Sequence, residues 1–198
     1  DPLLLQYAVL TVAVTEEKTE PFDIAILDGA ARLLNGETPS LQRIAELPFD
    51  PHMRLNAVLV RTTTGPVLVV RGAPEEILRR SPSLPGPERE TLAAWISMKG
   101  HAGERTIALA KRSLPPTSTG INPADIQDLE FLGAIAFTDP IKPSAYRAVE
   151  KAKELGVTLK IITGDSAEVA GAVGVRIGLL EDPTLVLIDR HPAKREAV

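Results

Sequence analysis

Apolar positions change their spacing along this chain, and the changes mark out its elements. Residues 3–14, LLLQYAVLTVAV, are apolar on nearly every side, which predicts a buried helix, with a strand as the alternative because of the valines. After a polar run at 15–20, PFDIAILDGAARLL opens on Pro21 and repeats apolar residues at Ile24, Ile26, Leu27, Ala30, Ala31 and Leu34. That spacing predicts an amphipathic helix, with Gly36 as its stop. RLNAVLVRTTTGPVLVVRG sets two β-rich runs about Thr64, Gly65 and Pro66, the pattern of an antiparallel hairpin. APEEILRRS reads as a short helix with Pro74 in its first turn, where the missing N–H breaks no helical bond. Residues 81–87 carry three prolines and a glycine, a loop ahead of a helix over 88–99. RTIALAKRSL returns as a strand, and PPTSTGINPAD, 115–125, reads as a surface loop.

From Phe131 the order becomes strand, helix, strand, helix, strand: FLGAIAFTD, PSAYRAVEKAKELG, VTLKIITGD, SAEVAGAVGVRIGL and TLVLID. Continuous apolar strands alternating with helices predict a parallel sheet covered on both faces. The expected fold class is therefore α/β: an antiparallel α+β unit over 1–129, then part of a doubly wound parallel-sheet unit over 130–198. No internal repeat or low-complexity tract interrupts either part.

Composition narrows the function classes. A chain of 198 residues, 44% hydrophobic and 24% charged, has the make-up of a globular protein. A net charge of −4 with scattered basic residues gives no reason to expect nucleic acid as a partner. No apolar stretch approaches the roughly 20 residues of a membrane-spanning helix, so this segment is not expected to insert into a membrane. The start of the chain also lacks the basic residues of a signal peptide. With no cysteine, disulfides and thiolate metal sites are excluded. His52, His101 and His191 lie far apart in sequence and read as surface histidines rather than zinc ligands.

Candidate chemistry sits at the strand ends. In open parallel sheets, ligands gather beyond the carboxyl ends of the strands, where loops and helix N-termini expose N–H groups. ITGDS puts Thr163, Gly164 and Asp165 at such an end: a hydroxyl that can donate to a phosphoryl oxygen, a glycine that admits close backbone approach, and a carboxylate. The plainer reading is that Asp165 or Ser166 caps the following helix. FTDPIK places Asp139 and Lys142 at the preceding strand end, where Asp139 and Pro140 alone would be an ordinary turn. Asp139, Asp165 and Asp189 each lack an acid or threonine two residues on, so none reads as a phosphatase nucleophile. In the first part, ELPFDPHMR offers Phe49, able to stack on a base if exposed, and Arg54, able to pair with phosphate. VVRGAPEEIL sets Arg71 and Gly72 at a strand end. No G-x-x-x-x-G-K-[ST] occurs, and Gly171, Gly174 and Gly178 do not spell G-x-G-x-x-G; they read as aids to close helix packing.

In order and content these segments resemble the cytoplasmic catalytic region of P-type cation-transporting ATPases. ELPFDPHMR is similar to that family's adenine-site segment, RGAPEE to its K-G-A-P-E motif, GERTIALAKR to its G-x-R segment, TDPIK to its D-P-x-[KR] hinge and ITGDS to its T-G-D motif. EPFDIAIL resembles the helix that carries an acidic nucleotide contact. The resemblance runs from about residue 20 to residue 179.

The resemblance implies a nucleotide-binding domain over 1–129 and part of a HAD-like phosphorylation domain over 130–198. It implies ATP and Mg²⁺ as cofactors, the transmembrane and actuator domains of a parent pump as partners, and a cytoplasmic place within an integral membrane protein. Residue by residue, Phe49 would stack on adenine and Asp23 would lie near the adenine end. Arg71 would take the motif lysine's place beside Gly72, and Arg54 and Arg105 would face the phosphates. Thr163 and Gly164 would touch the transferring phosphoryl group and Asp165 would lie beside nucleotide and Mg²⁺. Asp139 and Lys142 would brace the hinge. The chain departs from the family where it lacks D-K-T-G-T and G-D-G-x-x-N-D, so the nucleophilic aspartate is expected to precede Asp1, and the isolated chain to bind nucleotide without turning it over. Arg71 sets a planar fork where a compact ammonium is usual. HPAKREAV resembles the family's P-x-x-K segment only loosely, Lys194 falling one position early. The adenine segment and R-G-A-P-E argue against the heavy-metal branch. The rival readings are a soluble phosphohydrolase with an inserted cap domain and a non-catalytic regulatory module.

Overall fold

The computed structural model describes residues 1–13, 20–34 and 41–186. Its elements run α1 (Pro2–Leu10), α2 (Pro21–Leu33), β1 (Gln42–Asp50), β2 (Leu55–Thr62), β3 (Gly65–Gly72), α3 (Pro74–Arg79), α4 (Gly86–His101), β4 (Glu104–Ser113), β5 (Glu130–Thr138), α5 (Pro143–Glu154) and α6 (Ala167–Arg176). A 3₁₀ turn, Pro123–Asp125, closed by a reciprocal capping box with Asn122, gives the 115–125 loop its one regular feature.

The five strands form one sheet in the order β1-β2-β3-β4-β5. β1 to β4 pair antiparallel in succession, and the hairpin expected near Thr64 forms with Thr62 opposite Gly65. Thr62 Oγ1 tightens that turn, accepting from Thr64 N at 3.2 Å and donating to Gly65 O at 2.7 Å. β2 and β3 are buried almost throughout because both faces of the sheet are covered. Successive side chains of a strand alternate between faces. Leu55, Ala57, Leu59, Leu68, Val70, Ala108 and Ala110 therefore pack with Ile77, Leu114, Ile126 and Leu129 on one side. Val58, Val60, Val67 and Val69 point the other way, packing with Tyr7 and Leu10 of α1. A second cluster joins Ala8 and Val12 to Ile26 of α2 and to Ile107 and Leu109 of β4. Each buried Val or Leu contributes about 1.5–3 kcal/mol relative to exposure.

β1 is absent from the sequence expectation. It carries Arg43, Glu46 and Pro48 and lies at the sheet edge, where a polar, half-exposed strand shows no apolar alternation. The segment expected to be a buried helix, or else a strand, is helical, but of α1 only Ala8 and Leu10 are buried. The helix stop placed at Gly36 lies outside the described residues; α2 ends at Leu33.

The chain divides into two compact units, Asp1–Ala93 with Thr106–Phe137, and Ala94–Arg105 with Thr138–Val198. The doubly wound sheet expected over 130–198 is not shown by the described residues. The strand expected to open a parallel sheet, β5, is instead the neighbour of β4 in the first unit's sheet. It is held there on both faces, with Phe131 and Ala134 on one core and Leu132, Ile135 and Phe137 on another. Residues 157–165 form no strand, and none occurs after Thr138 among the described residues. A strand requires a neighbour for its N–H and C=O groups. Without one, the apolar run stays exposed, Ile162 at 97%. The last expected strand, TLVLID, lies partly outside the described residues, as do Asp189, His191 and Lys194.

Within the second unit, α6 is close-packed through its glycines. A Cβ on Gly171 would sit 2.0 Å from Pro183 O, and one on Gly174 would sit 2.7 Å from Leu180 Cδ1. Gly178 differs from its two fellows: it has open space around it and a φ of +75°, which ends the helix in a left-handed turn.

Candidate functional site

The candidate residues fall into three clusters, two in the first unit and one in the second. The first is built on the β1–β2 turn. Between Leu47 and Asp50, β1 uses three steps where β2 uses two, from Ala57 to Leu55, so one extra residue bulges out of the ladder. A bulge re-aims side chains, and Phe49 emerges 62% exposed. The turn beyond it is fixed by Asp50, whose carboxylate accepts from His52 N at 2.7 Å and Met53 N at 3.1 Å. Those two N–H bonds, Met53's first, hold the Asp50 carboxyl below its ordinary titration range. Arg54 N donates to Asp50 O at 2.7 Å, and Arg54 itself adopts a left-handed φ of +54°. Its guanidinium forms an ion pair with Glu75 at 2.5 Å. A flat apolar ring and a cation thus leave one rigid turn, each open to solvent.

The second cluster lies inside the first unit, on the helix-covered face of the sheet. Asn56 and Arg71 are directly opposite each other on β2 and β3. Arg71 Nε donates to Asn56 Oδ1 at 3.2 Å, and Asn56 Nδ2 donates to Thr11 O at 2.9 Å. Asp23, 4% exposed, accepts from Ala13 N through Oδ2 at 3.1 Å. Its Oδ1 stands 2.6 Å from Arg71 Nη1, an ion pair whose angles fall outside hydrogen-bond geometry. Asp23 and Arg71 therefore come together, but they face the residues that follow α1 rather than solvent. Gly72 follows for a steric reason: a Cβ there would meet Arg54 O and Leu55 Cβ, each at 2.6 Å.

The third cluster belongs to the second unit. Arg105 Nη2 donates to Asp165 Oδ2 at 2.8 Å, and its Nη1 lies 3.6 Å from Asp139 Oδ2. Ser166, not Asp165, is the N-cap of α6, accepting from Val169 N at 3.4 Å, which leaves Asp165 for the guanidinium. Thr163 Oγ1 accepts from Asp165 N at 3.1 Å, so the threonine shapes the loop that carries the acid. Gly164 has nothing within 4 Å of a Cβ position. Lys142 stands exposed at the backbone N-cap of α5 and joins none of the ion pairs among the described residues.

Sequence reasoning missed Asp50, Asn56 and Glu75. Asn56 had a signal, as the single polar residue in an apolar run, and Asp50 another, as an acid before proline at a strand end. Glu75 had one as well, as the glutamate that closes R-G-A-P-E, although no role was read from it. No group of three or more His, Asp or Glu among the described residues is placed to hold a metal ion. With Asp139 and Asp165 both facing Arg105, these residues do not fit a resident Mg²⁺. Nor is any helix among them long and apolar enough to cross a membrane.

Comparison with known proteins gives this geometry a family. Residues 11–144 match the family model described as P-type ATPase, cytoplasmic domain N. The chain is 31% identical over 186 residues to Calcium-transporting ATPase 1 of Saccharomyces cerevisiae, covering 85% of this chain and 19% of that protein. It is 33% identical over 171 residues to Magnesium-transporting ATPase, P-type 1 of Salmonella typhimurium, covering 79% and 19%. It is 31% identical over 179 residues to Probable cation-transporting ATPase I of Mycobacterium leprae, covering 85% and 11%. The chain thus spans about a fifth or less of the length of these relatives. It belongs to the P-type cation-transporting ATPases, and most of it corresponds to their cytoplasmic domain N.

Proposed function

We propose that this chain is the ATP-binding part of a cation pump that couples ATP hydrolysis, through an aspartyl-phosphate, to ion movement across a membrane. The observation that carries the reading is Phe49: an aromatic ring held outside the fold by a strand bulge, with a cation rooted five residues later in the same capped turn. Hydrophobic rings are ordinarily buried, so an exposed one on a rigid root suits stacking on a base. Arg54 would then meet the phosphates. Asp23 and Arg71 would support the adenine end from beneath, holding α1, α2 and the sheet together rather than facing the ligand themselves.

In this reading the first unit, with β5 in its sheet, is the nucleotide-binding domain, and the residues after Phe137 contribute to a HAD-like phosphorylation domain completed by other parts of the parent protein. Arg105, Asp139, Lys142 and the loop Thr163, Gly164 and Asp165 would serve the phosphoryl end, and the guanidinium would exchange carboxylate partners for phosphate. Mg²⁺ belongs to the family's reaction. The names of the relatives point to transported cations of several kinds, in keeping with ion choice by membrane segments of the parent.

The test is a calorimetric titration with ATP, ADP and adenosine of the chain and of Phe49→Ala. Stacking is worth about 1–3 kcal/mol per base, so the variant should bind all three about 5- to 150-fold more weakly with an unchanged melting temperature. Equal affinity in the two proteins would overturn the reading.

A further inference from the structure

We infer that Glu75 is a stand-in anion for Arg54, occupying its guanidinium when no polyphosphate is bound and so making the site discriminate ligands by phosphate charge. The inference rests on the nucleotide-binding reading above and gives a role to Glu75, the last residue of R-G-A-P-E.

Its first support is the rigidity of Arg54's root. A left-handed φ is unfavourable for a residue with a side chain and persists only where the surroundings fix it. Here they do so from two sides. Arg54 N is bound to Asp50 O within the turn, and Arg54 O accepts from Ala73 N at 3.0 Å. The close approach of Gly72 to the same carbonyl leaves no room for the backbone to relax. The bond to Ala73 also joins Arg54 to the start of α3, which carries Glu75 two residues later. The side chains of Arg54 and Glu75 therefore leave from fixed points on one rim and meet at 2.5 Å.

The second support is the difference between the two adjacent glutamates. Glu76 is committed to the helix, pairing with Arg79 at 2.7 Å and with Arg80. Among the described residues Glu75 pairs only with Arg54. That pair stands in water, its side chains 51% and 59% exposed, so neither charge has been desolvated and the bond exchanges readily. A phosphate offers a guanidinium more charge and more acceptor oxygens than one carboxylate and displaces it. A neutral nucleoside has nothing to offer Arg54 and leaves Glu75 in place. Glu75 thus lowers the affinity for phosphorylated ligands by the small factor that an exposed ion pair is worth, and acts only on them.

A carboxylate in the first turn also favours a helix through the backbone dipole, so the experiment must separate ligand effects from folding. Calorimetric titration with ATP, ADP and adenosine is compared for the chain, Glu75→Gln, Arg54→Gln and the double variant, with melting temperatures alongside. Glu75→Gln should bind ATP and ADP about two- to five-fold more tightly, with adenosine unchanged and the gain shrinking at high salt. In the Arg54→Gln background the same substitution should have no effect. Unchanged or weaker ATP binding by Glu75→Gln, an equal gain for adenosine, or a gain that survives loss of Arg54 would overturn the inference. If Phe49→Ala abolishes binding while Glu75→Gln is silent, the inference fails and the nucleotide-site reading stands; if Phe49→Ala is silent, the reading itself has failed.

Discussion

Arg71 and Asn56 face each other across β2 and β3, and the 3.2 Å bond from Arg71 Nε to Asn56 Oδ1 leaves Nη1 of the same guanidinium 2.6 Å from Asp23 Oδ1. One fork thus spans a neutral amide and a buried carboxylate. An ammonium on a flexible stem presents its donors at a single point, so the arginine found in place of the family's lysine has a structural reason here. Through Asn56 and Asp23 it fastens Thr11 and Ala13, the residues that follow α1, to the sheet and to α2.

Arg71→Lys should therefore be destabilising although it preserves charge. It leaves Asn56 Oδ1 buried without its donor, a loss of about 1–3 kcal/mol. Arg71→Ala, which strands the Asp23 carboxylate, should cost about 3–5 kcal/mol. In urea unfolding, Arg71→Lys combined with Asn56→Ala should be less damaging than the sum of the two, with a coupling of about 0.5–3 kcal/mol. Strict additivity would mean that the cross-strand bond carries no weight.

Two glycines of the candidate site should behave oppositely. Gly72→Ala forces a Cβ against backbone at 2.6 Å and should lower stability by about 1–3 kcal/mol, shifting the root of Arg54 as it does so. Gly164→Ala meets nothing within 4 Å and should lie within about 0.5 kcal/mol of the parent. Thermal melts of the two variants check both statements. If Gly164→Ala also weakens ATP binding, that site needs close backbone approach by ligand rather than by protein.

What the sequence made legible follows from which interactions are local. The β2–β3 hairpin, α2 and α3 announce themselves because periodicity and turn chemistry act within a few residues. β1 was hidden because an edge strand with Arg43, Glu46 and Pro48 is stabilised by pairing with β2 rather than by its own pattern. The run at 157–165 failed in the opposite direction. Its apolar, β-branched composition is that of a strand, but strand structure also needs a partner, and none lies beside it among the described residues. The site was legible as residue types and not as contacts: motif reading named Asp23 and Arg71 separately, while their pairing and inward orientation depend on Asn56, Thr11 and Ala13, which no motif names.

Acid should loosen the first unit at two points. The ion pairs from Arg79 and Arg80 hold the Glu76 carboxyl below its ordinary value of 4.5. A group whose folded titration point is depressed contributes stability that is complete above its unfolded value and is lost as the pH falls through the folded one. Asp50 behaves likewise for the turn between Phe49 and Arg54, through its bonds to Met53 N and His52 N. Unfolding midpoints should fall as the pH drops below about 4.5, and Glu76→Gln should reduce that slope. Asp50→Asn, which keeps one acceptor oxygen, should preserve nucleotide affinity better than Asp50→Ala.

In the second unit Arg105 is the residue whose removal should be felt most locally. It is the charged partner of both Asp165 and Asp139, and the distances, 2.8 Å and 3.6 Å, give the Asp165 contact the greater weight. Because both pairs are partly open to solvent, Arg105→Ala should change overall stability by no more than about 1 kcal/mol. Its effect should instead appear where Asp165 leads into α6, since the loop is organised by Thr163 Oγ1 on one side and the Ser166 cap on the other. Hydrogen exchange should quicken at the Asp165 and Val169 amides and remain unchanged in β2 and β3, whose ladders lie in the first unit. Arg105→Lys restores charge without the fork and should recover only part of the protection. Exchange that rises evenly across both units would show that Arg105 supports the fold as a whole, and would remove the reason to regard it as a guanidinium held ready for phosphate.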